Sequence, residues 1–150
     1  MNICLNNIYE EFNLITISGK YNIENFNKLV QDTLNLFKPY EKDGKDCIIT
    51  TTKSLEMVNN EQVIDVEILV PVSEKMEVQE PYIYKEKIRI VNALYLKVDD
   101  ITKLQEAMNQ INEYVIEEKL QPVTTAYLVQ KKEEGKPVVE IYMGMNPNII

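Results

Sequence analysis

Apolar side chains recur along this chain in two rhythms, one helical and one of strands. Ile23, Phe26, Val30 and Phe37 fall at steps of three, four and seven residues, the spacing that lines one face of a helix. Asn22 just ahead of them is a good N-cap, and Pro39 pushes residue 38 out of helical dihedrals. The pattern predicts a helix over about 23–37. The same stripe returns 78 residues later in Ile101, Leu104, Met108 and Val115. Asp99 or Asp100 is its cap, and Lys119 near its end suits the helix dipole, so a second helix is predicted over about 101–119. Elsewhere β-branched and alternating runs predict strands over 2–18, 47–52, 62–72, 82–97, 123–129 and 138–145. Residues 41–46, 59–61 and 131–137 read as polar turns or loops. The segment 73–81, ending in Pro81, reads as a connector, and the tail 146–148 as loose.

The strand segments repeat as well. Val66-Glu67-Ile68-Leu69-Val70-Pro71 is echoed by Val139-Glu140-Ile141-Tyr142-Met143-Gly144 at a shift of 73 residues. Two stretches, about 10–72 and 82–145, thus share the order strand, helix, strand, strand. Two copies of a fixed period point to one domain, 1–150, with a pseudo-twofold axis, and not to a solenoid. The predicted fold class is α+β: a pseudo-twofold tandem βαββ repeat whose mostly antiparallel sheet carries both helices on one face. Successive strand side chains alternate between faces. Ile68, Val70, Ile141 and Met143 are therefore expected under the helices. Glu67, Leu69, Glu140 and Tyr142 are expected on the opposite face, which no helix covers in this reading. That face is either solvated, concave around a ligand, or buried against a partner.

Charge and rare residues narrow the chemistry. The chain has 150 residues, a formal net charge of −8 and no histidine. An acidic surface without a Lys/Arg cluster gains little from phosphate counterion release, which argues against nucleic acid and anionic membranes as partners. The absence of histidine removes the commonest general base and the commonest metal ligand. Cys4 and Cys47 are too few for a zinc cage and read as free thiols of a reducing compartment. The N-terminus lacks a basic region followed by a long apolar run, so no signal peptide is expected. No apolar stretch approaches about 18 residues. A cytoplasmic protein without metal or cofactor is the expectation.

The tyrosines supply candidate chemistry. There are nine, against three Phe and no Trp, and Tyr82, Tyr84, Tyr95, Tyr127 and Tyr142 all fall on predicted strands of the second half. Tyrosine offers a rigid apolar body with a polar tip, suited to mixed recognition surfaces. A carboxylate among tyrosines favours cationic or hydroxyl-bearing apolar ligands. The candidate ligand-binding residues are Glu140 and Tyr142, with Glu67 at the repeat-related position, and Tyr127 and Tyr95. The alternative is that these are ordinary residues of a half-wet sheet, where tyrosine is a good strand former.

Three segments carry a family resemblance: Ile17-Ser18-Gly19-Lys20-Tyr21 before the first helix, Asp65-Val66-Glu67-Ile68-Leu69-Val70-Pro71-Val72, and Val139-Glu140-Ile141-Tyr142-Met143. In these the chain resembles the GyrI-like effector-binding domains. The resemblance implies a tandem βαββ duplication with a ligand cleft on the pseudo-dyad. It also implies a glutamate, Glu140 by position, that pairs with cationic lipophilic molecules. In overall layout the chain is also similar to standalone proteins of low-GC Gram-positive bacteria, often encoded beside secreted toxins of type VII secretion systems. Three functions follow as expectations. The first is a non-catalytic adaptor or accessory protein assisting such a toxin. The second is a small-molecule binding protein for cationic, lipophilic ligands. The third is a hydrolase using a cleft Glu and Tyr. No catalytic residue is assigned, the expected partner is another protein or a small lipophilic molecule, and a homodimer is left open.

Overall fold

Asn22 opens the first helix as its side chain suggests. In the computed structural model, which describes residues 2–42 and 46–147, its Oδ1 accepts from the Glu24 N–H at 2.9 Å. This satisfies a first-turn donor that the helix itself leaves orphaned. Helix α1 runs Ile23–Phe37. A single 3-10 turn over Lys38–Tyr40 follows, since Pro39 has no N–H with which to continue an α-helix. The fold is α+β, with two helices and antiparallel strand pairing throughout the described registers. It divides into two units, residues 11–88 and residues 2–10 with 89–147.

In the 11–88 unit, β1 (Cys4–Asn22) contributes its second half and is joined by β2 (Ile48–Val58) and β3 (Glu61–Pro71). Strand β3 is the middle one: Ile68 lies opposite Ile17 of β1 and Thr50 of β2. The β2–β3 turn is only Asn59-Asn60, with φ of 51° and 67°. A two-residue turn with both residues left-handed matches the twist of the paired strands, and asparagine tolerates that region better than most residues. Strand β2 therefore continues well past residue 52. Helix α1 sets Val30 and Phe37 on Ile15, Ile17, Ile68 and Val70. Thr33 on the same helix is fully buried, and its hydroxyl has no hydrogen-bond partner among the described residues.

The 89–147 unit is built in the same order. It comprises β4 (Ile83–Val98, from residue 89), α2 (Leu104–Glu117), β5 (Tyr127–Glu133) and β6 (Lys136–Gly144). Here β6 is the middle strand, with Ile141 opposite Leu96 of β4 and Leu128 of β5. Helix α2 sets Ala107 and Ile111 on Leu94, Leu96, Val139 and Ile141. It starts later than its apolar stripe predicts, because Asp100 instead caps a 3-10 turn by accepting from the Thr102 N–H at 3.0 Å. It also ends earlier. Lys119 adopts φ 54°, the Leu120 N–H donates to the Val115 carbonyl at 2.9 Å and the Lys119 N–H to that of Ile116 at 3.2 Å. This is the hydrogen-bond pair that closes a helix with a left-handed residue.

Several sequence expectations shift. The loop expected over 131–137 is only Glu134-Gly135, with φ of 52° and 77°, so Lys131 and Glu133 belong to β5. The strand expected from 123 is reduced to a bridge between Pro122 and Met145, and regular pairing begins at Tyr127. The tail is anchored as far as Asn146, whose N–H donates to the Gln121 carbonyl at 2.8 Å; Asn148 lies outside the described residues. So do residues 43–45 of the polar turn expected over 41–46. Among the described residues, no helix is long and apolar enough to cross a membrane.

The face assignment holds on the helix side: Ile68, Val70, Ile141 and Met143 are all buried. On the opposite side of the 11–88 sheet, the expectation of an uncovered surface is corrected. Leu14, Ile49 and Leu69 are each 0% exposed, so the chain buries that face within itself at these positions. Glu67 is half-buried. Truncating the middle strand should be costly. Ile141→Ala is expected to lower unfolding free energy by about 2–4 kcal/mol, as buried aliphatic truncations do. Denaturant titration reads this directly, and an unchanged midpoint would mean that the register of β6 is wrong.

Candidate functional site

The non-helical face of the 89–147 sheet gathers polar and aromatic side chains in register. Tyr95, Tyr142 and Tyr127 stand opposite one another across β4, β6 and β5. In the next row Lys97 and Val129 flank Glu140. The Tyr95 and Tyr142 rings are tilted with centroids 5.0 Å apart. Tyr9, from the part of β1 that belongs to this unit, stacks on Tyr142 at 4.6 Å. Such offset contacts satisfy the ring quadrupoles and add to simple area burial.

Glu140 is the polar centre of this face. Its Oε2 accepts from the Tyr95 hydroxyl at 2.7 Å, and its Oε1 lies 2.7 Å from Lys131 Nζ. The Glu140 side chain is 13% exposed and that of Lys131 27%, so the carboxylate is largely out of water and its charge requires partners. The pairing continues outward. Lys131 Nζ lies 3.9 Å from Glu133 Oε1, Glu133 Oε2 lies 2.8 Å from Lys97 Nζ, and Lys97 Nζ lies 3.9 Å from Asp99. A ladder of alternating charge thus runs from Tyr95 through Glu140, Lys131, Glu133 and Lys97 to Asp99.

The surroundings set the protonation states. Burial, the hydrogen bond to Glu140 and its negative charge together hold the Tyr95 phenol far above its ordinary value. Burial first, and the Glu140 charge second, push Tyr142 up to about 12. The hydrogen bond to Glu133 raises Lys97. Both phenols are therefore neutral donors at physiological pH, suited to holding a carboxylate or a ligand acceptor and unsuited to acting as bases or nucleophiles.

Tyr95 and Lys97 also line a cavity of about 530 Å³, together with Asn2, Cys4, Val98, Asp99, Asp100 and Lys103. This volume lies within the range of small-molecule sites. Among the described residues, no three His, Cys, Asp or Glu side chains come together as a metal site would require.

Of the residues singled out from sequence, the fold brings Tyr95, Glu140 and Tyr142 into direct contact, with Tyr127 beside Tyr142 in the register. Glu67 lies in the 11–88 unit, opposite Ser18 and Thr51. Tyr82 and Tyr84 also belong to that unit and not to the second half. Tyr82 meets Phe37 edge-on at 5.0 Å in the core under α1, and the Tyr84 hydroxyl donates to Asn13. Sequence reading missed Tyr9, Lys131, Glu133 and Lys97. For Lys131 a signal exists, since it shares strand parity with Tyr127 and Val129, but its polar neighbours Lys132 and Glu133 give the segment the composition of a loop. The stacking of Tyr9 had no sequence signal.

No protein-family model matches the chain, and no curated protein matches it. Among solved structures it is similar to an integron cassette protein from the mobile metagenome of Vibrio cholerae. The identity is 12% over 97% of this chain and 100% of that one, with a TM-score of 0.49.

The raised phenols have a consequence for stability. An unfolded tyrosine loses its proton near pH 10, whereas folded Tyr142 holds it to about 12. Stability contributed by the neutral phenol is complete below pH 10 and is lost as pH rises between these values. Tyr95 adds to the same loss. The melting temperature should fall more steeply between pH 10 and 12 in the wild type than in Tyr142→Phe. Parallel slopes would show that Tyr142 titrates normally.

Proposed function

We propose that this chain is a non-catalytic binding protein that takes a small lipophilic cation on the tyrosine face of the 89–147 unit. The observation that carries this reading is the double role of Tyr95, which lines the cavity of about 530 Å³ and donates to the half-buried Glu140. A ligand in the cavity would meet Tyr95, whose hydroxyl is held by Glu140, together with the carboxylates of Asp99 and Asp100, and an aromatic ring with carboxylates nearby favours organic cations. Tyr142 and Tyr9 would extend the aromatic surface, and Tyr127 would flank it. The reading agrees with the implication of the GyrI-like resemblance at Glu140. The hydrolase reading asks for a Glu–Tyr pair within hydrogen-bond reach, which Tyr95 and Glu140 provide. Both Glu140 oxygens are already engaged, however, and Tyr95 keeps its proton, so the pair is better suited to holding than to proton transfer.

The adaptor reading is favoured by a different observation. Leu55 and Met57, two apart on β2 near the β2–β3 turn and so on one strand face, are 58% and 64% exposed, and neighbouring exposed apolar side chains suit a protein partner. A secreted toxin encoded nearby, met in the cytoplasm, is the partner this reading proposes. We also propose that the two units descend from one duplicated βαββ element. Support comes from their common order, from the middle position of β3 and β6, and from matched partners: Thr16 and Ile49 flank Leu69 as Tyr95 and Tyr127 flank Tyr142.

A rhodamine dye titration tests the binding reading. Glu140→Gln should weaken binding by about 10- to 100-fold, the loss of a charge-assisted contact worth roughly 1.5–3 kcal/mol. Dye binding that is indifferent to this change would sink it. If instead a neighbouring-gene product co-purifies and is lost on Met57→Asp, the adaptor reading takes its place. The duplication predicts that Thr33, at the helix position matching Ile111, accepts an apolar residue. Thr33→Ile should hold or raise the melting temperature, whereas a loss beyond about 1 kcal/mol from overpacking would argue that the two helix seats differ.

A further inference from the structure

Lys131 stands where the ligand's cation would stand in the binding reading. Its Nζ is 2.7 Å from Glu140 Oε1 and 3.9 Å from Glu133 Oε1. The second oxygen of each carboxylate is engaged elsewhere, that of Glu140 by Tyr95 and that of Glu133 by Lys97. The two remaining oxygens therefore share one ammonium, which the chain itself supplies. The lysine stem is long, with four rotatable bonds, and an ammonium carries three donors without the fixed fork of a guanidinium. What the contact requires is a cation at this position, since the Glu140 side chain is only 13% exposed. An incoming ammonium could take its seat between the same two oxygens while Lys131 moves toward water.

We infer that Lys131 is the resident occupant of a two-carboxylate ammonium subsite, so that the site is self-blocked and opens to ligands whose primary ammonium displaces it. This rests on the binding reading and adds two things to it: a preferred ligand chemistry and a built-in competitor. A compact ammonium suits the gap between Glu140 and Glu133 better than a delocalised cation, whose charge is spread over a ring system. The aromatic or apolar remainder of such a ligand would reach Tyr95 and the cavity it lines. Because every ligand must first displace Lys131, affinity in the wild type is reduced by the fraction of time the subsite is occupied from within.

The test uses full-length protein and two fluorescent probes, dansylcadaverine, which carries a primary ammonium, and dansylamide, which does not. Lys131→Met empties the subsite, and Lys131→Gln does so while keeping a donor, should the Met variant fold poorly; thermal melts verify each. Lys132→Met is the control, since it removes the same charge one residue away on the opposite strand face. Expected is dansylcadaverine binding about tenfold tighter in both Lys131 variants than in wild type. Dansylamide should be unaffected, Lys132→Met should behave as wild type, and the gain should vanish in Lys131→Met/Glu140→Gln. An equal gain in Lys132→Met would reduce the effect to net charge and overturn the inference. If rhodamine binds wild type in a Glu140-dependent way but neither Lys131 variant tightens dansylcadaverine, the self-blocking inference fails and the binding reading stands. If no cationic probe binds any folded variant, both fail together.

Discussion

The middle strands β3 and β6 carry the constraint on which the rest of each unit depends. Each is hydrogen-bonded on both sides, so it has no free edge, and its side chains must alternate between two occupied faces. On the helix side this demands unbroken apolar contact, and Ile68 and Ile141 meet it at 0% exposure. On the other side the two units diverge. Leu69 of β3 is buried between Thr16 and Ile49, whereas Tyr142 of β6, on the non-helical face of its own sheet, lies in an aromatic and charged setting. The same backbone scheme thus yields an inert packed face in one unit and a chemically equipped one in the other.

What distinguishes the equipped face is how its charges are handled. A carboxylate as little exposed as Glu140 could not persist with its charge uncompensated. The strand alternation solves this locally, since residues 131 and 133 of β5 and residue 97 of β4 fall on the same face as residue 140 of β6. Glu140 then has Lys131 on the adjoining strand, Glu133 of β5 reaches Lys97 of β4 across the same face, and Tyr95 supplies the remaining hydrogen bond. Such a network specifies side-chain positions more than it adds stability, because desolvation offsets much of the attraction. A preorganised set of donors and acceptors beside a cavity is what selective binding requires, since little ordering is left to be done when a ligand arrives.

Much of this was legible in the sequence. Helical spacing located both helices, alternation assigned Ile68, Val70, Ile141 and Met143 to the helix side, and Asn22 marked the start of α1, because each of these signals is a local periodicity or a local hydrogen bond. Legibility failed at boundaries where turn geometry overrides composition. Lys131 looked like loop because Lys131-Lys132-Glu133 is polar, yet the two left-handed residues at 134 and 135 let β5 continue to the turn. Helix α2 stops short of the end its apolar spacing suggests, because that spacing cannot register that Lys119 turns left-handed.

For the site, the sequence by itself determined which residues share a face: Glu140 with Tyr142 along one strand, and Tyr95 with Lys97 along another. It determined this because strand parity depends only on position in the chain. Tertiary structure alone decided which strands lie side by side and in what register. That choice set Tyr95 against Glu140, brought Tyr9 onto Tyr142 from the far end of the chain, and placed Tyr82 in the core of the other unit. It also turned Glu140 from an open anion into one already holding a cation, since the distance from Lys131 to Glu140 is set by the pairing of β5 with β6, and no pattern along a single strand encodes it.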